Sequence, residues 1–375
     1  MKIQHWVAAG CCVLSATAYA QSSVTLYGII DTGVEFVSHA NAKGDSLVRM
    51  PGITGEYASR WGLRGTEDLG GGLKALFVLE NGFNPRAGDM GQGGRLFGRQ
   101  SWVGLSNRFG QLSFGRQYTM TFWSMADSDI LGPDIYSSSA LDSYLANARS
   151  DNTIAYKGTF SGLTIGATYS FGRDSAGGNS PGQGSCNGPV PGSSQCRQWS
   201  AMLKYDAQNF GVAGAYDEQR GGTGAAANFF NGVAPVRLAN GADKDIRMQL
   251  NGWASLYGVK IGAGWIGRRV ETDSPAVPDV HSDLFYLGAQ YSITPAFILD
   301  GEVYRMENSQ QDARATMATL RGTYLLSKRT AVYLQTSYLG NSPNAAYSVS
   351  VGGGGTTPSK GANQVGVMAG MRHMF

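Results

Sequence analysis

Few side chains in this sequence are placed to do chemistry. Beyond the first twenty residues the only histidines are His39, His281 and His373. A hydrolase triad needs a histidine beside a nucleophile and an orienting group, and these three fall in segments that the pattern below sends to opposite ends of one fold. Catalysis is therefore not expected. The run Val351-Gly352-Gly353-Gly354-Gly355 lacks the Lys-Ser/Thr ending of a phosphate loop, and no motif calls for a cofactor or a metal. Arginine is more suggestive. Arg60 and Arg64 share parity around Gly62, so on a strand both project to one face, with Trp61 and Leu63 on the other. A face bearing two guanidinium groups opposite an apolar face is a wet wall.

What must position such a wall is legible in the composition. The 375 residues include 54 Gly and only 15% charged side chains, with 11% aromatics. Ordinary globular chains carry roughly 25% charged residues and about 7% Gly. A mean hydropathy of −0.18 is not that of a helical membrane protein, disorder would lack the aromatics, and collagen would need Gly at every third position. A net charge of +3 leaves no nucleic-acid footprint. A large all-β protein remains.

Residues 1–20, MKIQHWVAAGCCVLSATAYA, read as a cleaved export signal: Lys2 for the basic end, Trp6 to Leu14 for the apolar stretch, and Ala18-Tyr19-Ala20 for the cleavage site. Loss of Lys2 would lower the net charge to +2. Cys186 and Cys196 would then be the remaining cysteines, nine residues between them, in the Gly/Pro/Ser-rich stretch GQGSCNGPVPGSSQCRQ with no metal-ligand neighbours. In an exported chain that pair reads as a loop-stapling disulfide, with two free thiols as the alternative.

Two-residue alternation recurs along the rest. From Leu163 to Phe171 every odd position is apolar or aromatic and every even one small or polar, and Val24, Leu26, Ile30, Val34 and Phe36 share a face opposite Asp31 and Glu35. The pattern predicts sixteen strands over 23–38, 58–67, 72–82, 95–106, 110–118, 151–158, 162–172, 198–206, 210–219, 246–257, 259–270, 282–293, 297–307, 314–326, 331–340 and 364–375. Tight turns alternate with long connections, the longest at 119–150. Sixteen strands with one-sided loop length fit a soluble β-sandwich poorly and an antiparallel transmembrane β-barrel well, since a closed barrel satisfies its backbone without water. Tyr169, Phe171, Phe285, Tyr291, Tyr324 and Tyr338 lie at or near strand ends on the apolar parity, where interfacial girdles belong. Sixteen strands leave an aqueous lumen.

The chain from 21 to 375 resembles a Gram-negative trimeric general porin of the betaproteobacterial type. The resemblance rests on the opening SVTLYG at 23–28, on GTEDLGGGLKA at 65–75, on GRQSWVGL at 98–105, on Phe114-Gly115-Arg116, on LSKRT at 326–330 and on the closing GMRHMF with Phe375. It implies a homotrimer of sixteen-stranded barrels in the outer membrane, in contact with lipid and lipopolysaccharide. Loop 119–150 would fold inward to narrow each pore, and the barrel-assembly machinery would read Phe375. It further implies that Arg60, Arg99 and Arg149 line one wall of the narrowing, with Arg64 a weaker candidate. Asp127, Asp129 and Asp134 of the inward loop, with Asp142, would stand opposite, creating a transverse field for ions and small hydrophilic solutes. Arg116 shares parity with Leu112 and Phe114 and is expected at a rim or subunit contact.

The arginines favour anions, whereas the loop aspartates together with Asp31, Glu35, Asp300 and Glu302 favour cations; weak anion preference is the expectation. A solute-specific channel with adhesin-like surface loops is the alternative, for which Tyr118, Phe122 and Trp123 near the inward loop are the relevant residues.

Overall fold

The computed structural model describes residues 23–52, 54–173, 186, 188–351 and 355–375; the export signal expected at 1–20 lies outside them. Sixteen long strands dominate: β1 (Ser23–Val37), β2 (Arg60–Gly70), β3 (Leu73–Gly82), β4 (Gln100–Asn107), β5 (Gly110–Tyr118), β6 (Arg149–Phe160), β7 (Leu163–Ser170), β8 (Gln198–Asp206), β9 (Phe210–Arg220), β10 (Lys244–Leu256), β11 (Val259–Glu271), β12 (Val280–Thr294), β13 (Phe297–Asn308), β14 (Ala313–Leu325), β15 (Thr330–Asn341) and β16 (Gln364–Met374). Each pairs antiparallel with its neighbours, and β1 closes the ring against β16 from Ile29↔Met374 to Val37↔Gly366. At the seam Gly28 and Phe375 exchange both backbone hydrogen bonds, at 3.0 and 3.1 Å.

The alternation works as the pattern predicts. On β7, Thr164, Gly166, Thr168 and Ser170 are buried while Ile165, Ala167 and Tyr169 are exposed. On β15, Tyr333, Gln335 and Ser337 face in, whereas Val332, Leu334 and Tyr338 face out. The exposed side is therefore apolar and the enclosed side polar, the reverse of a soluble protein and the arrangement lipid requires. Seven short turns join alternate pairs. In the two-residue turn between β10 and β11, Tyr257 and Gly258 take φ of 50° and 82°, the mirror-image turn that matches strand twist.

Most inward-facing apolar residues serve one purpose. The connection between Tyr118 and Arg149 folds into the barrel through a short helix, Met120–Met125, and two 3-10 turns, Ser138–Ala140 and Leu145–Asn147. Leu131, Ile135, Tyr136, Leu141 and Leu145 of this inward loop pack into one cluster with Met306, Met317, Leu339 and Met368 of the wall. Burying such a side chain is worth roughly 1.5–3 kcal/mol, so the loop is seated by packing. Glycines on the facing strands make room: a Cβ at Gly262 of β11 would come within 1.9 Å of the Ser128 carbonyl oxygen, and one at Gly366 of β16 within 2.6 Å of the Tyr136 ring. The loop thus lies against β8–β16 and leaves the lumen open along β2–β6.

Candidate functional site: the lumen beside the inward loop

The open side of the lumen is a passage of about 810 Å³ between the inward loop and the β2–β6 wall. Arg60, Arg99 and Arg149 meet there around a single carboxylate. Glu80 of β3 lies 2.8 Å from Arg99 Nε and 3.6 Å from Arg60 Nε; Arg99 also donates to the Tyr118 hydroxyl at 2.7 Å. The Arg149 guanidinium sits 4.9 Å over the Tyr118 ring. Strand register explains the convergence. Gly82 and Glu80 pair with Arg60 and Gly62, Glu80 also pairs with Gln100, and Tyr118 pairs with Arg149, so adjacent strands bring all of these to one level. Glu80 was detectable in the sequence as the sole charge in the run Leu76-Phe77-Val78-Leu79-Glu80. Arg64 lies four residues further along β2, 5.3 Å over the Tyr27 ring, and does not border the passage.

Arg116 departs from its expected outward position. Pairing of β5 with β6 slips between Gly115 and Gln117, with Gly115 at φ 127°. This bulge turns Arg116 inward, where it meets Asp151 at 2.5 Å and borders the passage. Parity counted along a regular strand cannot anticipate such a slip.

The loop carboxylates are also not where the sequence reading put them. Asp134 pairs with Arg321 of β14 at 2.9 Å, and Arg321 also holds Asp300 at 2.7 Å. Asp142 takes a two-pronged hydrogen bond from Arg247 of β10, at 2.7 and 3.1 Å. Asp129 caps its own turn, accepting from the Gly132 amide and the Ser138 hydroxyl, and Asp127 pairs with Lys204 of β8. None of the four borders the passage: Asp134 and Asp142, being buried, need charged partners, which the opposite wall supplies, while Asp129 is satisfied within its own turn and Asp127 by Lys204. Asp31, Glu35 and Glu302 are engaged as well, with the Tyr57 amide at 2.7 Å, Arg49 at 2.6 Å and the Leu131 amide at 2.9 Å.

Burial opposes ionisation at both loop anchors. For Asp142, Arg247 and Arg268 outweigh it and hold the carboxyl down to about 2. For Asp134, burial prevails over Arg321 and pushes the carboxyl up to about 8.

What the loop presents to the passage is neutral: Phe122, Pro133, Ser139, Ala140, Ser143 and Asn147. Among the described residues, seven arginines line the passage, Arg60, Arg86, Arg95, Arg99, Arg116, Arg149 and Arg173, against one carboxylate, Asp89. Outside the barrel strands, Cys186 and Cys196 form a disulfide that packs with Ala225, Ala227 and Leu238 of the neighbouring external connection.

A closed sixteen-stranded barrel, apolar outside and polar inside, with a loop folded into its lumen, defines an outer-membrane channel protein. Comparison with known proteins makes this specific. The chain belongs to the Gram-negative porin family, whose profile matches residues 7–344, and it is an outer-membrane porin. It is 30% identical to outer membrane porin protein 32 of Delftia acidovorans over 96% of both chains. With an outer membrane porin of Bordetella pertussis it shares 42% identity over 172 residues, spanning 42% of this chain and 45% of the relative. A solved structure, the anion-selective porin from Comamonas acidovorans, aligns with a TM-score of 0.74 at 26% identity over 95% of this chain and all of that one.

Proposed function

We propose that this porin is an anion-preferring diffusion channel for ions and small hydrophilic solutes. The observation that carries the reading is the excess of seven lining arginines over three carboxylates, Asp89 in the lining with Glu80 and Asp151 behind it, paired to Arg60, Arg99, Arg95 and Arg116. In a narrow, low-dielectric bore, fixed charge of one sign concentrates counter-ions of the other. Arg60, Arg99 and Arg149 form the cationic wall around Glu80, and the loop opposite contributes only neutral side chains, so the field comes from the wall. The anion preference is accordingly stronger than a balance of arginines against loop aspartates would give. The Comamonas acidovorans porin, described as anion-selective, supports the same sign.

The same proposal covers a homotrimer in the lipopolysaccharide-bearing membrane, export through the 1–20 leader, and recognition of Phe375 by the assembly machinery. Replacing Arg60 and Arg99 together by Ser tests the wall: the zero-current potential in a KCl gradient should move toward potassium. A potential equal to that of the parent channel would remove these two arginines from the selectivity mechanism.

A further inference from the structure

We infer that the passage prefers aromatic carboxylates to saturated carboxylates of equal charge and similar size. The inference rests on the anion-preferring reading and names the organic class that the same wall takes. Its basis is a stack of rings where a lumen wall should be polar. From Arg149, 4.9 Å over the Tyr118 ring, the stack continues to Phe122, parallel to Tyr118 at 3.9 Å between centroids. It then reaches Trp123, edge-on to Phe122 at 5.4 Å, and ends at Lys157, 3.6 Å over the Trp123 ring. Arg149 and Lys157 are eight positions apart on β6, on the order of 25 Å along an extended strand, so the stack runs down the wall.

Phe122 and Trp123 are only half-buried. One face of Phe122 is covered by Tyr118, and the ring borders the main passage. Trp123 borders a second, smaller opening of about 40 Å³ that Tyr118 and Lys157 also line. Partly uncovered rings inside a wet lumen carry a solvation cost that a flat apolar solute would relieve. A neutral sugar would use such rings, but it has no use for a cation at each end. A solute with one ring and one carboxylate uses both: the ring stacks on Phe122, and the carboxylate meets the guanidinium groups beside Tyr118. Lys157 then offers the next charge on the way down. An offset-stacked pair is worth enough for a roughly two- to tenfold preference.

The test compares benzoate with cyclohexanecarboxylate, matched in charge and close in size, by zero-current potentials of the purified channel in planar bilayers. Benzoate should be at least about twofold more permeant, and Phe122→Leu should bring the ratio toward one. Trp123→Leu supplies the same measurement should the first variant fail to insert. Equal permeabilities in the parent channel, or a ratio that neither variant alters, would overturn the inference. The chloride-to-potassium ratio of the parent channel is read in the same bilayers. Chloride preference without benzoate preference defeats this inference alone, whereas potassium preference defeats the anion reading beneath it and this inference with it.

Discussion

Asp134 of the inward loop and Arg321 of β14 are 187 residues apart in sequence, and their side chains meet at 2.9 Å. That contact faces away from the arginine wall and holds the loop to the opposite side of the barrel. Together with the pair between Asp142 and Arg247, it separates two tasks. The loop's carboxylates seat it, and the arginines of β2–β6 are left without a facing acidic surface.

Seating can be probed at Asp142. Removing one member of a buried ion pair typically costs about 3–5 kcal/mol. Arg247 retains Asp245 at 3.1 Å, so the lower end of that range is expected for Asp142→Ala. Open-channel noise in single-channel records should rise while the circular dichroism of the barrel stays the same. A record as quiet as that of the parent would mean packing alone holds the loop.

The same anchors predict a pH dependence. The Asp142 carboxyl is held down to about 2 from its ordinary 3.8. Its contribution is therefore complete above about pH 4 and is lost as pH falls through about 2. Asp134 runs the other way. Raised to about 8, it stays protonated in the folded chain while the unfolded chain ionises. Its contribution is thus full below about pH 4 and lost as pH rises toward 8. The loop should be most firmly seated near pH 4, with channel noise rising on both sides. Noise that falls steadily with acidification would contradict the assignment.

Gly262 offers a steric test that leaves charge alone. Its Cβ position lies 1.9 Å from the Ser128 carbonyl oxygen, so Gly262→Val must lift the loop off β11. The displaced loop moves toward the arginine wall and into the passage, so a smaller single-channel conductance is the expected outcome. An unchanged conductance would show that the loop's position does not set the bore.

Cys186–Cys196 sits in an apolar cluster with Ala225 and Leu238, apart from the arginine wall. Replacing both cysteines by Ser should lower thermal stability, a short staple being worth about 2–3 kcal/mol, while leaving conductance near that of the parent. A large fall in conductance would place the stapled connection over the channel mouth.

Much of this was readable from the chain. Alternation placed Asp31, Glu35 and Arg60 on the lumen side and Val24, Leu26 and Tyr338 outside, because a strand's two faces follow from counting by twos. The short turns and long connections then oriented the barrel. The failures have physical causes. Arg116 was misplaced because the slip at Gly115 breaks the count. The loop aspartates were misassigned because their partners, Arg247 and Arg321, lie 105 and 187 residues away, and parity says which face a residue takes but not what waits across the lumen. Glu80, which organises Arg60 and Arg99, stands at the end of the apolar run Leu76–Leu79, but parity alone does not show which arginines it meets.

The central claim is that unbalanced arginine charge makes this porin prefer anions. It is tested most directly by the zero-current potential of the purified channel in a planar bilayer under a KCl gradient. The predicted result is discrete conductance steps with a potential displaced toward the chloride equilibrium value. A potential displaced toward potassium would contradict it, and would mean that the seven arginines lining the passage do not govern what crosses.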